Sequence, residues 1–228
     1  MPNPYVQPEL FTFFRDLRKN NDRDWFNDNK KRYEQCVKEP MLDLIADFSP
    51  LLAEISPHFR AIPKASGGSF FRIYRDVRFS TNKDPYKTHA AIQFRHASGK
   101  DVHAPGYYLH LEPGNVFVGL GIWHPENSAL HLIREAIDQD PDLWKSVRDH
   151  APFKASYELK GDSLKRPPKG FPSDHECLVD LKRKDFIAVA QFDEAEAFRS
   201  DLLPFLAETW KTGSPFMSFI SRSMNVPF

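Results

Sequence analysis

Between Arg72 and Lys87 the chain interleaves cations with aromatic rings: Arg72, Arg75, Arg78, Lys83 and Lys87 stand among Tyr74, Phe79 and Tyr86, with Phe71 just ahead. Like charges at this density repel one another unless something anionic sits among them. Planar guanidinium grips carboxylate or phosphate through two parallel bonds, and lysine adds compact point charges. The chemistry to which these residue types point is capture of a small anion by Arg72, Arg75, Arg78, Lys83, Tyr86 and Lys87. The competing use of the same residues is internal: Arg72 and Arg78 share Asp76 as a neighbour and could form an ion-pair ladder with it.

Which use holds depends on the backbone. As a strand over 70–79, the segment would alternate its side chains, placing Arg75 among Phe71, Ile73, Val77 and Phe79. A guanidinium buried there must meet a carboxylate or an anionic ligand, because burial unpaired costs several kcal/mol. A bulge near Asp76 would instead turn Arg75 outward. A second basic segment, with Lys165, Arg166 and Lys169 stiffened by Pro167, Pro168 and Pro172, is either a solvated connection or a flap closing over the arginines.

A titratable pair lies on a hairpin joined by Glu112-Pro113-Gly114-Asn115. One of its faces carries Tyr107, Leu109, Leu111, Val116, Val118, Leu120 and Ile122 and is read as core. The other carries Tyr108, His110 and Glu112 beside Phe117, Gly119, Gly121 and Trp123. Glycines between aromatics leave a trough for a ligand, or room for another element to pack closely. In an open trough His110 is the candidate catalytic acid or base, since imidazole titrates near neutral pH. His89, His96, His103 and His110 recur every seventh residue, but in strand and loop that spacing builds no metal geometry, so neither metal nor cofactor is expected.

The elements that must position these groups follow from periodicity. Leu10, Phe13, Phe14 and Leu17 form a helical stripe, Asn20-Asn21-Asp22 caps a helix carrying Trp25, Phe26, Tyr33 and Val37, and Pro40 opens a third helix that Pro50 should kink or interrupt. Strands are predicted near 70–79, 90–96, 106–112, 115–123, 155–160 and 184–191, and helices over 128–138, 141–149 and 193–210. The expectation is one domain over 1–228: an N-terminal helical part at 7–57, sheet at 68–123 and 155–191, and a C-terminal helix at 193–212. The fold class is α+β, a largely antiparallel sheet of about six strands packed with N-terminal and C-terminal helices.

Composition narrows the partners. Net charge is zero, from 31 cations and 31 anions, which argues against nucleic acid as a partner. Residues 60–100 nevertheless hold nine Lys or Arg against Asp76 and Asp84, a local charge of +7. Cys36 and Cys177 are the only cysteines. With no leader-type segment or membrane-length apolar run, they fit a reducing compartment, and the cytoplasm is expected. Ser80-x-x-Lys83 and Lys211-Thr212-Gly213 imitate penicillin-recognising serine enzymes, but their helix and strand contexts are reversed.

The chain resembles the bacterial and fungal family known as domain of unknown function 2461. The resemblance rests on Arg72-x-x-Arg75-Asp76-x-Arg78-Phe79 continuing to Lys83-x-Pro85-Tyr86-Lys87, on Trp25-Phe26 with Tyr33, and on Lys165-Arg166-x-Pro168-Lys169-Gly170-Phe171 with Asp174-His175. It implies a single domain of about this length and assigns no activity or catalytic residue. The functional expectation is a small phosphate- or carboxylate-bearing ligand at the arginine-rich site, with acid–base chemistry as an addition. The alternative is a non-catalytic module docking an acidic protein or a nucleic acid.

Overall fold

The N-terminal stripe forms α1 (Pro8–Lys19), with Leu10, Phe13, Phe14 and Leu17 buried. In the computed structural model, which describes residues 3–99 and 103–228, Asp22 caps α2 (Arg23–Asp28) by accepting the Asp24 and Trp25 amides. A short α3 (Lys30–Tyr33) runs through a π-helical turn, Glu34–Lys38, into α4 (Glu39–Ile55). Pro40 occupies the first turn of α4 as predicted, yet Pro50 does not end the helix. Ala46, whose carbonyl loses its partner at Pro50, is exposed together with the proline, so the missing bond lies on the solvent side of the helix and not in the core.

The sheet is antiparallel throughout, in the order β1 (Phe59–Arg60), β2 (Ala90–His96), β3 (Gly106–Glu112), β4 (Asn115–Ile122), β6 (Phe186–Phe192) and β5 (Glu158–Lys160). The β3–β4 hairpin pairs Glu112 with Asn115 across a two-residue turn in which Gly114 takes φ 77°, backbone open to glycine at no steric cost. Its apolar face is core as read: Tyr107, Leu109, Leu111, Val116, Val118, Leu120 and Ile122 are all buried. Against that face pack α4, α9 (Leu202–Thr212) and α10 (Ser214–Ser223). Trp210 sits in the centre, fully buried, its ring meeting Phe48, Phe94 and Tyr107. Between β4 and β6 the chain forms α5 (Asn127–Gln139), α6 (Pro141–Arg148), α7 (Ala151–Ser156) and α8 (Leu178–Leu181).

The architecture is therefore α+β, with six strands, but not the predicted six. Residues 70–79 are not a strand; they contribute only isolated bridges, Phe70 to Ile92 and Tyr74 to Tyr86. Their aromatic and β-branched side chains anchor a loop instead. Tyr86 stacks on Phe26 at 4.1 Å, Tyr74 meets both rings, and the Asn21 side chain bonds the Tyr86 backbone in both directions. The sixth strand is β1. The predicted 193–210 helix divides into a 3-10 turn, Glu194–Phe198, and α9. Pro204 falls in the first turn of α9, where its absent N–H would have no helical partner.

Candidate functional site

The face of the sheet opposite the helices is open. Register sets Tyr108 beside both Gln93 and Gly119, and Gly106 beside Gly121, so the glycines adjoin one another under a cavity of about 420 Å³. Its walls are Phe71, Phe117, Trp123, Ile187 and Val189. Among the described residues no helix residue lines it, so no helix packs over the glycines and the trough is open. The two glycines keep it open for different reasons. A Cβ on Gly119 would meet nothing closer than 3.7 Å, so a methyl group fits there in ordinary contact. A Cβ on Gly121, at φ 120°, would come within 2.0 Å of the Phe186 carbonyl oxygen, so there the neighbouring strand needs the room.

At one end of the trough stands a titratable cluster. Tyr108, His110 and Glu112 project from the same face of β3. Register sets Ala91 beside His110, so His89, two residues earlier, comes to the same face with its ring centroid 4.3 Å from that of His110. The Tyr108 hydroxyl lies 3.1 Å from His110 Nδ1, and His110 Nε2 lies 3.3 Å from Glu112 Oε2. Glu112 also accepts from Arg18 at 3.0 Å, from Thr88 at 3.3 Å and from Asn115 at 3.3 Å. Burial lowers the pKa of His110 against the opposing pull of Glu112, and pushes His89 down to about 4 with help from the His110 charge. Both imidazoles are neutral at pH 7. Burial alone would raise the Glu112 carboxyl, but its bonds to His110 and Asn115 outweigh that and hold it below its ordinary value. Four histidines, His89, His96, His103 and His110, recur every seventh residue. Two of those histidines, His89 and His110, do meet, together with Glu112, whereas His96 turns to the Pro227 carbonyl and His103 to that of Trp123.

The arginine stretch runs past the trough rather than forming its floor. Phe71 and Lys87 line the cavity, and Lys87 Nζ donates to the Arg72 carbonyl at 2.9 Å while resting 5.3 Å from the centre of the Phe71 ring. An adjoining hollow of about 310 Å³ shares Phe71 and Gln93 and adds Arg72 and Arg95. Arg75 is not the buried guanidinium predicted from strand alternation: it is half-buried, and its side chain reaches Ser80 Oγ at 3.5 Å. Among the described residues no carboxylate pairs with it. Arg78 pairs with Asp76 at 2.6 Å in full exposure, and Lys83 donates to the Val77 carbonyl. Tyr86 is buried against Phe26 and does not line the trough.

Lys165, Arg166 and Lys169 are not brought over the arginines. Their loop lies against α5, where Phe171 meets His131, His175 approaches Asp138, and Lys169 shares a hollow with Leu130 and Arg134.

Trp123 takes the trough face as the alternation predicts, whereas the clamp behind it escapes sequence reading. Trp123 walls the trough from the end of β4, and beyond it the chain turns through a left-handed residue, His124 at φ 46°. Buried Asp185 holds that turn by accepting the His124 amide at 2.7 Å and the Asp162 amide at 2.9 Å. Asp185→Ala leaves both amides without a partner. The expected loss of unfolding free energy in urea is about 1–3 kcal/mol, and a change within error of zero would show that the turn holds itself.

A family model described as a conserved hypothetical protein, DUF2461, matches residues 9–219. No curated protein matches the chain significantly.

Proposed function

The chain belongs to the DUF2461 family of conserved hypothetical proteins, and we propose that it binds a small organic anion with a flat apolar body in the trough on the open face of its sheet. The carrying observation is the lining of the cavity. Apart from Lys87, no described lining side chain is charged at neutral pH, and the rest is mainly aromatic, aliphatic or glycine. A volume of about 420 Å³ lies in the range of small-molecule sites, which pair apolar walls with a few placed polar groups. The flat body would lie over Gly119 between Phe117 and Trp123. The anionic group would sit near Phe71, where Lys87 borders the trough and Arg72 and Arg95 border the adjoining hollow.

This relocates the anion site expected from sequence. Of the cations first considered, Lys87 and Arg72 border the cavities, while Arg78 is committed to Asp76. His110 receives a positioning part, because both its ring nitrogens already face protein partners.

The test uses 2-naphthoate as the probe, in the presence of a chelator. It should raise the melting temperature by about 2–4 °C for each kcal/mol of binding free energy gained by the native state, and inorganic phosphate should raise it far less. Gly119→Leu fills the trough and Lys87→Ala removes its cation; each should abolish most of the shift. An unchanged shift in Gly119→Leu overturns the proposal. The docking reading draws on one observation, the 95 % exposure of Phe79 beside Arg78. Failure of naphthoate combined with salt-sensitive retention on a polyanion column would favour it.

A further inference from the structure

We propose that His89, His110 and Glu112 bind one divalent transition-metal cation at the end of the trough. One ligand atom from each of the three side chains lies within 4.8 Å of the others. Metal–ligand bonds of about 2.0–2.2 Å place donor atoms about 3–4.4 Å apart, so a small inward rotamer adjustment closes the set on a single ion. The donors arrive from two paired strands, β3 and the residue preceding β2, and are therefore held by the sheet rather than by a flexible loop.

The donor types suit a cation: imidazole nitrogen and carboxylate oxygen are both metal-ligating groups. Without an ion, two neutral rings and a carboxylate crowd together with only one bond among them, His110 Nε2 to Glu112. A cation between them satisfies all three donors at once.

The surroundings are those of a supported site. Metal-bound histidines direct their other nitrogen to a hydrogen-bond partner, and bound carboxylates are themselves hydrogen-bonded. Here the Tyr108 hydroxyl stands 3.1 Å from His110 Nδ1. With the metal on Nε2, the imidazole proton resides on Nδ1 and is donated to Tyr108. Arg18 and Thr88 bond Oε1 of Glu112 and Asn115 donates to Oε2, which fixes the carboxylate with Oε2 beside His110. Two cations oppose a metal here: Arg18, 3.0 Å from Glu112 Oε1 on the side away from His110, and Lys87, whose ammonium is tied to the Arg72 carbonyl and the Phe71 ring.

Two nitrogens with one oxygen favour iron(II), cobalt(II), nickel(II) or zinc over magnesium and calcium, which prefer oxygen alone. Three protein ligands leave coordination positions for an exogenous group, as in open rather than structural sites. His89 lines the trough itself. The metal site goes beyond the naphthoate-type occupant proposed above and does not depend on it.

Cobalt(II) alone is the probe, added to untagged, chelator-stripped protein with no organic ligand present. The expected result is one cobalt per chain by elemental analysis, visible d–d absorption, and a rise in melting temperature. His89→Ala and Glu112→Gln should each abolish the absorption while circular dichroism stays native. Tyr108→Phe, which removes only the outer partner, should weaken cobalt binding by about 10–100-fold. No stoichiometric cobalt in the wild type, or equal uptake by folded Glu112→Gln, overturns the inference. If His89→Ala does not fold, Glu112→Gln and the wild-type stoichiometry still decide it. A chain that takes up cobalt but ignores naphthoate keeps the metal site and loses the trough ligand; the converse result does the opposite.

Discussion

Trp210→Ala is expected to remove about 3–5 kcal/mol of unfolding free energy, the range for truncating a large aromatic in a closed core. The indole has no solvent exposure and lies among Phe48, Phe94 and Tyr107, with ring centroids between 5.1 and 5.7 Å away. Those neighbours come from α4, β2 and β3, so the void could close only if separate elements moved together. The indole N–H also donates to the Gly119 carbonyl at 3.2 Å, from beneath the trough. Domains of this kind have about 5–15 kcal/mol in total, so the variant should lose a large fraction of its stability. Trp210→Phe should retain most of the packing and lose about 1 kcal/mol with the hydrogen bond. Urea unfolding of both variants is the measurement, and a loss below about 1 kcal/mol for the alanine would mean that the helical layer does not close on this side chain.

The two trough glycines should separate sharply under the same substitution. Gly121→Ala is expected to cost about 3 kcal/mol or more, because strain at such a φ and a backbone clash add. The φ of 120° disfavours any L side chain, and the new Cβ would sit 2.0 Å from the Phe186 carbonyl oxygen and 3.0 Å from Ile187 Cα. These are backbone atoms of the paired strand β6 and cannot swing aside as a flexible side chain would. Gly119→Ala, two residues away on the same face, places its Cβ at ordinary contact distance from Ala188 and Tyr108. It should change stability by less than about 1 kcal/mol. Thermal melts of the pair check this. Equal costs would contradict the view that one glycine makes space for a strand and the other for a ligand.

What could be read from the sequence was local. The β3–β4 hairpin was legible because its turn residues and its period-two alternation lie within one short stretch, and that alternation separated the buried face from the trough face residue by residue. The same local rule misplaced 70–79. Phe71, Ile73, Tyr74 and Val77 look like strand formers, yet Tyr74 serves an aromatic cluster with Phe26 and Tyr86. Propensity records which surfaces a side chain suits, not which partner supplies them. His89 was hidden for a related reason. Its nearness to His110 follows from the β2–β3 register, which pairs Ala91 with His110. A constant spacing of seven along the chain carries none of that information. The Asp185 clamp gave no signal either, since a lone acidic residue shows its amide partners only after the fold has brought Asp162 and His124 beside it.

The strand order also bears on how the chain assembles. β2, β3 and β4 are sequential neighbours joined by short connections and can zip locally, but β6 joins β4 only after α5 to α8 intervene. Bringing Ile122 to its partner Phe186 closes a loop of about 60 residues, and chain entropy opposes that step before any contact rewards it. Until it is complete, β4 presents a free backbone edge together with the apolar row Val116, Val118, Leu120 and Ile122. An unpaired apolar edge is the kind of surface on which partly folded chains associate. Late docking of β6 is thus the step at which crowding between nascent chains competes with folding. The helices between β4 and β6 set how long that interval lasts.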